Sequence, residues 1–287
     1  MSEPKELAVL IVDDDPDRPT RLIHRLQTLE GLQTTVKSPL AAMNRPFDLA
    51  LVFHPLKYAD GLEVIGRLAQ GKGGFTPVLG VIEGVESGAP LSLFAQGAVD
   101  YLRVEALESM AAERVEYWTR MRRRWLAAGD PPWPGEDHPP WKEYRRQARI
   151  LVLDDQAVQL MFMGKFLHHE GFEQVTTLSD PQALLDRLEQ GERFDAVITD
   201  YHLPGTNGLE LAARLLTPEG NDPHLILITA DQDATLRQQA HQAGVGDFLV
   251  KPLDRNELVW RLKRGLRMRF ALTGPGSRAA GPRGESP

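Results

Sequence analysis

The chain of 287 residues contains no cysteine. This absence excludes disulfide bonds, thiolate metal sites and cysteine nucleophiles. No segment reaches the roughly 18 uninterrupted apolar residues that a membrane-spanning helix requires. The first residues also lack the layout of a secretory signal peptide. From these absences we expect a cytoplasmic protein that makes no contact with a membrane.

The chain also lacks an excess of positive charge. It has 33 basic and 40 acidic residues, which gives a formal net charge of -7. Because proteins that bind nucleic acid broadly carry basic surfaces, nucleic acid is not an expected partner. Two local basic runs, Arg120–Arg124 and Arg261–Arg269, fall in helical patterns and are expected to lie on solvated helix faces.

What is present is an internal repeat. Residues 194–200 stand 147 positions after residues 47–53 and share their apolar pattern, and residues 244–249 match residues 97–102 at the same offset. Nearer the start, the aspartate pairs at 13–14 and 154–155 match at an offset of 141. Self-similarity along several segments predicts two copies of one domain.

Within each copy, short apolar runs alternate with longer amphipathic stretches. Runs of four or five residues that are apolar on both faces favour buried parallel strands. The runs are Ile150–Leu153, Gln174–Thr177, Ala196–Thr199, Leu225–Ile228 and Phe248–Val250 in the second copy, and Ala8–Val12, Leu49–Phe53, Val78–Ile82 and Ala98–Leu102 in the first. The alternation predicts an α/β fold, with two doubly wound five-stranded parallel sheets in tandem.

The predicted domain boundaries follow from the same patterns. Residues 1–128 form the first domain, which ends in a long helix, and residues 148–270 form the second. Residues 129–147 are rich in proline, which cannot continue a helix, and are predicted to be a linker. Residues 271–287 have little to bury and are predicted to be a disordered tail.

Polar side chains of the second copy gather where its strands end. Asp154 and Asp155 follow the first strand, Asp200 ends the third, Thr229 follows the fourth, and Lys251 follows the fifth. Ligands of open parallel sheets bind at the carboxyl ends of the strands. Clustered carboxylates repel one another unless a cation neutralises them, and a few oxygen ligands with open positions suit Mg²⁺. The sequence therefore predicts a magnesium site at this edge.

The motifs VLDD, ITD, ITA and KPL, in this order, resemble those of the receiver domain of bacterial two-component response regulators. The resemblance covers most of residues 149–270 and implies a flavodoxin-like fold. It implies that Asp200 accepts a phosphoryl group from the phosphohistidine of a sensor kinase. It further implies that Asp155, Asp200 and the backbone carbonyl of His202 bind Mg²⁺ directly, and that Asp154 acts mostly through water.

The resemblance also implies the residues of a switch. Thr229 matches the hydroxyl that moves onto the phosphoryl group, and Lys251 matches the lysine that pairs with it. Phe248 stands at the position of the rotating aromatic residue. The peptide bond before Pro252 is often cis in the family, which a proline tolerates.

The first copy departs from this pattern. The repeat places Phe53 at the acceptor position, Ile82 or Glu83 at the hydroxyl position, and Val104 at the lysine position. The acids at 13–15 survive, but without a third carboxylate at the acceptor position a Mg²⁺ site there is weak. The first copy thus resembles a degenerate receiver, or pseudo-receiver, with an expected role in binding or dimerisation.

The sequence therefore predicts a response regulator of a phosphorelay that is not an enzyme. Its expected partners are a sensor histidine kinase or phosphotransfer protein, and a second copy of the chain or a downstream effector. One alternative is the regulatory part of a cyclic-di-GMP cyclase or phosphodiesterase. A weaker alternative is a DNA-binding regulator that uses the basic run at 261–269.

Overall fold

A computed structural model describes residues 6–15, 18–27, 29, 31–39, 47–70, 75–84, 89–135, 137–216, 222–231 and 233–273. The chain divides into a first unit, Met1–Pro132, and a second unit, Trp133–Pro287. Among the described residues, none of the helices is both long enough and apolar enough to cross a bilayer.

The first unit is built on a five-stranded parallel sheet with the strand order β2-β1-β3-β4-β5. Its elements in chain order are β1 (Leu7–Val12), α1 (Pro19–Leu26), β2 (Leu32–Lys37), β3 (Leu49–His54), α2 (Gly61–Ala69), β4 (Val78–Ile82), α3 (Ala89–Ala95), β5 (Asp100–Arg103) and α4 (Leu107–Ala127), with a short 3₁₀ turn (Val104–Ala106) before α4.

The second unit repeats this sheet in the order β7-β6-β8-β11-β12. Its elements are α5 (Pro139–Gln147), β6 (Arg149–Leu153), α6 (Ala157–His169), β7 (Gln174–Leu178), α7 (Pro181–Glu189), β8 (Ala196–Asp200), β9 (His202–Leu203), β10 (Thr206–Asn207), α8 (Gly208–Leu215), β11 (His224–Thr229), α9 (Ala234–Gln242), β12 (Asp247–Val250) and α10 (Arg255–Thr273). The two-residue strands β9 and β10 pair as a small hairpin.

The central strands of each sheet are buried on both faces. All five residues of β4 and of β8 are buried, as continuous apolar runs require when helices cover both faces of a sheet. In each unit the first strand lies between the second and the third, so the chain reverses its winding direction there. This reversal opens a crevice at the carboxyl ends of the strands. The predicted fold class is confirmed in both units.

One strand of the first unit gave no clear sequence signal. Strand β2, with the sequence LQTTVK, lies at the edge of the sheet and pairs with β1 alone. Its residues are half-buried or exposed. Because only part of one face contacts the core, polar residues are tolerated, and the continuous apolar run that marks the other strands is missing.

The segment predicted to be a linker contains helix α5. Pro139 and Pro140 stand in the first turn, where a missing amide hydrogen costs nothing. Trp141 is fully buried and Tyr144 nearly so, and their rings lie 6.1 and 5.3 Å from the ring of Phe270 on α10. Helix α5 is therefore part of the core of the second unit. Helix α10 continues to Thr273, and the rest of the predicted tail, 274–287, lies outside the described residues.

The prediction of a solvated basic face on α10 is wrong for three of its arginines. Arg261, Arg264 and Arg269 are each less than 10% exposed. Two of them hold the fully buried Asp247, which begins β12: the Arg261 Nη1–Asp247 Oδ1 distance is 2.6 Å and the Arg264 Nη2–Asp247 Oδ2 distance is 2.5 Å. His224 Nε2 lies 3.0 Å from the same carboxylate. Acids at the starts of the strands form ion pairs with these three arginines, which is why the arginines are buried.

The first unit repeats this arrangement. Asp100 begins β5, is 1% exposed, and pairs with Arg114 of α4. Trp118 Nε1 donates a hydrogen bond to the same carboxylate at 2.9 Å. In the basic run of α4, Arg122 is buried beside Asp130, whereas the flanking arginines are exposed as expected. Each unit thus ties its last helix to the start of its last strand through one buried aspartate.

We expect Asp247→Asn to destabilise the second unit by about 3–5 kcal/mol, because it removes the buried negative charge that the guanidinium groups of Arg261 and Arg264 both contact. Native-state hydrogen exchange of residues 149–153 and 225–229 measures this unit separately from the first. Asp186→Asn, at an exposed position on α7, is the matched control and should leave exchange unchanged. Equal protection against hydrogen exchange in both variants would contradict a stabilising role of the contact between Asp247 and α10.

The pH dependence of this contribution follows from the same contacts. Burial opposes ionisation, but Arg264 and Arg261 outweigh it and hold the pKa of Asp247 well below its usual range. A lowered pKa stabilises the fold above the unfolded pKa of about 3.9, and the contribution is lost as the pH falls through the folded value. The difference in protection between wild type and Asp247→Asn should therefore stay constant from neutral pH down to the unfolded pKa and shrink only below it.

Candidate functional site

The strand ends of the second unit bring the predicted residues to one edge of the sheet. Asp200 is the last residue of β8 and is 7% exposed, and Thr229 is the last residue of β11 and is fully buried. Asp154 directly follows β6 and is 8% exposed. Lys251 directly follows β12. Each position is fixed by the register of the parallel sheet.

An ion pair joins the third and fifth strand ends. The Lys251 ammonium pairs with Asp200 Oδ2 and lies 3.9 Å from Asp154 Oδ2. The backbone amide of His202 donates a hydrogen bond of 3.1 Å to Asp200 Oδ1. Both oxygens of Asp200 therefore have a donor in this state, and the carboxylate is held in one orientation.

The site holds more negative than positive charge. Burial raises the pKa of Asp154, and the neighbouring charges of Asp200 and Asp155 raise it further. The amide of Gln156, which donates to Asp154 at 2.8 Å, and the Lys251 ammonium lower it but do not cancel the rise. One lysine thus serves a cluster of three acids, and ionisation of the buried Asp154 is disfavoured.

This cluster fits the chemistry of a small divalent cation. Within the described part of the chain, no three acidic or histidine side chains stand ready to hold a metal ion together, and Asp155 is exposed. The donors available are nevertheless carboxylate oxygens and the backbone carbonyl of His202, which are the ligands that Mg²⁺ prefers. A cation bound there would favour the ionised form of the buried Asp154.

The predicted switch residues lie on one face of the sheet. Thr229 Oγ1 accepts a hydrogen bond of 3.0 Å from the amide of Asp231, so the hydroxyl is engaged with the loop after β11. Phe248 pairs with Leu227, two residues before Thr229, and its half-buried ring has the Arg237 guanidinium 5.3 Å from its centroid. The hydroxyl and the ring are thus diagonal neighbours on adjacent strands.

A cavity of about 250 Å³ opens beside the acid cluster. Its polar lining is Asp154, Gln159, Asp200 and Lys251, and Met163 and Leu253 contribute apolar walls. The Lys251–Pro252 peptide at its edge is cis, as the resemblance implies. Gln159 and Met163 were missed by the sequence analysis, although their spacing of four residues puts both on one face of α6.

The strand register settles which residues of the first unit are equivalent. Val52 pairs with Val12 as Thr199 pairs with Leu153, so the next residue, Phe53, takes the place of Asp200. Phe53 pairs with Val81 as Asp200 pairs with Ile228, so the next residue, Ile82 rather than Glu83, takes the place of Thr229. Ile82 pairs with Arg103 as Thr229 pairs with Val250, so Val104 takes the place of Lys251.

Comparisons with known proteins agree with this geometry. Residues 150–263 match the family model of the response regulator receiver domain. The cyclic di-GMP phosphodiesterase response regulator RpfG of Xanthomonas campestris is 38% identical over 122 residues, which are 42% of this chain and 32% of that protein. The phosphate regulon transcriptional regulatory protein PhoB of Pseudomonas aeruginosa is 35% identical over 135 residues, 46% of this chain and 55% of that protein.

Among solved structures, the chemotaxis response regulator CheY4 of Vibrio cholerae is similar at 24% identity and a TM-score of 0.38, over 42% of this chain and 98% of that one. The chain spans less than two thirds of the length of either relative above. The second unit carries a receiver domain homologous to those of response regulators.

We expect the pKa of Asp154 to respond in opposite directions to its two neighbours. Asp200→Asn should lower it, because a negative charge is removed and Lys251 is released from its ion pair. Lys251→Ala should raise it further, because a positive charge is lost. Carboxyl ¹³C shifts of aspartate-labelled protein, followed through the acidic range, measure both. The distant Asp186→Asn should leave it unchanged, and shifts of the same sign in the first two variants would contradict the charge balance described.

Proposed function

We propose that the second unit is the phosphoacceptor of a two-component response regulator and that Asp200 takes the phosphoryl group. The observation that carries this proposal is the buried Asp200 carboxylate, oriented by Lys251 and by the amide of His202 at the edge of an acid cluster. The phosphodonor would be the phosphohistidine of a sensor kinase or of a phosphotransfer protein. These partners follow from the family and are part of the proposal.

The geometry supports the chemistry of phosphoryl transfer. A carboxylate is a weak nucleophile, so attack on phosphorus depends on orientation and on neutralising the charge of the phosphoryl oxygens. The His202 amide fixes one oxygen of Asp200, and Lys251 stands where it can pair with an incoming phosphoryl oxygen. Mg²⁺, held by Asp154, Asp155, Asp200 and the His202 carbonyl, would supply the remaining positive charge.

The phosphoryl group would then bias a two-state switch. Lys251 would exchange its pairing with Asp200 for one with the phosphoryl group, and the Thr229 hydroxyl would leave the amide of Asp231 to do the same. The space vacated by Thr229 lies beside Phe248 on the neighbouring strand. Inward rotation of that ring would separate it from Arg237 and change the surface between β12 and α9.

In this proposal the output is protein association rather than catalysis. The partner would be a second copy of the chain or a downstream effector. The first unit, with Phe53, Ile82 and Val104 at the three reactive positions, would not accept a phosphoryl group and would serve in binding.

The similarity to RpfG favours one second candidate, a regulatory part of a protein that makes or degrades cyclic di-GMP. In that case the phosphorylated receiver would control an enzymatic output through α10. A DNA-binding function is less well supported. Arg261, Arg264 and Arg269, which would have supplied its contacts, are buried in ion pairs or hydrogen bonds within the unit.

We expect acetyl phosphate with Mg²⁺ to label the full chain once, at Asp200. Borohydride trapping followed by peptide mass spectrometry identifies the modified residue. The label should be lost in Asp200→Asn and on addition of EDTA, whereas the exposed-acid control Asp186→Asn should be labelled as wild type is. A label that persists in Asp200→Asn, or one within residues 1–132, would overturn the assignment.

We expect phosphorylation to change self-association or effector affinity by about 5- to 150-fold, which corresponds to a coupling free energy of about 1–3 kcal/mol. Light scattering over a concentration series, with and without beryllofluoride and Mg²⁺, measures the self-association. Thr229→Val should keep the label at Asp200 and lose the shift in mass, because the hydroxyl is removed. A shift that also occurs in Asp200→Asn would show that beryllofluoride acts elsewhere.

A further inference from the structure

The first unit keeps the acids of the site but fills it differently. Asp13 and Asp14 follow β1 as Asp154 and Asp155 follow β6. Their side chains are almost completely buried, at 0% and 6% exposure. Two buried carboxylates without a counter-charge would be costly, so a cation is required within a few ångströms.

The Arg18 guanidinium supplies this charge. Its Nη2 lies 2.7 Å from Asp13 Oδ1 and 3.7 Å from Asp14 Oδ1. The same nitrogen lies 3.4 Å from the carbonyl oxygen of Pro55, and the guanidinium carbon is 5.3 Å from the centroid of the Phe53 ring.

The four groups that Arg18 contacts are equivalent to four groups that surround a single place in the second unit. Asp13, Asp14 and Phe53 are equivalent to Asp154, Asp155 and Asp200, and Pro55 follows Phe53 at the same distance as His202 follows Asp200. The resemblance assigns the four positions of the second unit to the surroundings of a divalent cation. The guanidinium of the first unit therefore occupies the equivalent place.

The two copies differ at the residue that makes this possible. Arg18 is the fifth residue after Asp13, and the fifth residue after Asp154 is Gln159, which lines the cavity of the second unit. A neutral side chain there adds no positive charge to that of Lys251, which pairs with Asp200 and lies 3.9 Å from Asp154.

Arg18 also reaches the loop after β4. Its Nη1 donates a hydrogen bond of 2.9 Å to Glu83 Oε1, and Asp14 Oδ2 accepts one of 2.6 Å from the amide of Tyr58 after β3. The loops after β1, β3 and β4 are thereby joined through one cation. Hydrogen bonds to Glu83 and Asp13 outweigh burial and raise the pKa of Arg18, so the charge persists at any physiological pH.

We propose that Arg18 is a built-in replacement for the divalent cation and holds the three loops of the first unit in one arrangement, whether or not Mg²⁺ or a phosphodonor is present. The surface above these loops is then constant, and only the second unit responds to a signal. A rival explanation is that a cation binds beside Arg18, because Asp13 Oδ2 and Asp14 Oδ1 are buried without a hydrogen bond among the described residues. The two explanations predict different responses to Mg²⁺.

Hydrogen exchange of the full chain, measured by mass spectrometry in EDTA and in excess Mg²⁺, tests the proposal. In wild type, residues 53–60 and 82–84 should exchange at the same rate in both conditions. In Arg18→Gln they should exchange about 10- to 100-fold faster, the loss expected for one or two hydrogen bonds between charged groups. Arg67→Gln is the matched control, because it removes an exposed ion pair with Glu63 in the same unit and should behave as wild type.

Two results would overturn the proposal. Slower exchange of these loops in wild type on addition of Mg²⁺ would show that a divalent cation binds there despite Arg18. Unchanged loop exchange in Arg18→Gln would show that Arg18 does not hold them. Protection of residues 7–12 monitors folding of the unit. If Arg18→Gln unfolds it, Glu83→Gln, at a side chain that is 48% exposed, replaces it and should speed exchange of residues 82–84 alone.

Discussion

Carboxylates gathered at the carboxyl ends of a parallel sheet must be balanced by positive charge, and both units of this chain are organised around that constraint. In the second unit a single lysine serves three acids, and burial together with the neighbouring acids raises the pKa of Asp154. In the first unit an arginine from the start of α1 lies among the acids and pairs with them. In the proposed function the second site takes up a cation, whereas in the first site the charge of Arg18 already lies among the acids. The same fold can therefore hold one copy that responds to a signal and one that does not, as we propose for the second and the first unit.

A second charge constraint acts at the opposite end of each sheet. Asp100 and Asp247 begin the last strands, are almost fully buried, and are satisfied by arginines of the last helices. A buried acid surrounded by several donors holds the helix against the sheet, because moving the helix would break several buried charged contacts at once. These contacts stabilise the end where the strands begin, and the residues of the proposed switch lie at the opposite end, where the strands finish.

The sequence predicts the parts of this structure that depend on strand order. Apolar runs mark the buried strands, and the polar residues that follow them had to meet at one edge, so Asp154, Asp200, Thr229 and Lys251 could be placed together without coordinates.

Contacts made by long side chains could not be predicted in this way. The basic run of α10 has the pattern of a solvated face, and only the fold shows Asp247 within its reach. Helix α5 begins with prolines that also suit a linker, and its two buried aromatic residues are too few to show a helical period. Arg18 gave no signal, because its role depends on where three separate loops meet.

The number of contacts that the proposed switch would exchange accounts for the modest size that we expect of it. In the second unit the residues that would turn toward a phosphoryl group are held by few bonds: Thr229 by one amide, Lys251 by one close carboxylate, and the ring of Phe248 by a contact with Arg237. Each such bond contributes on the order of 1 kcal/mol net, and somewhat more where a charge takes part. Exchanging two or three of them for contacts with a phosphoryl group leaves a difference of about 1–3 kcal/mol, the usual range of coupling free energies.

In the first unit, by contrast, Arg18 joins the loops through Asp13, Glu83 and the Pro55 carbonyl together, with the ring of Phe53 beneath it. Rearranging those loops would break all of these contacts at once, with no new ligand to replace them. The free-energy cost of a rearrangement is therefore lower in the second unit than in the first.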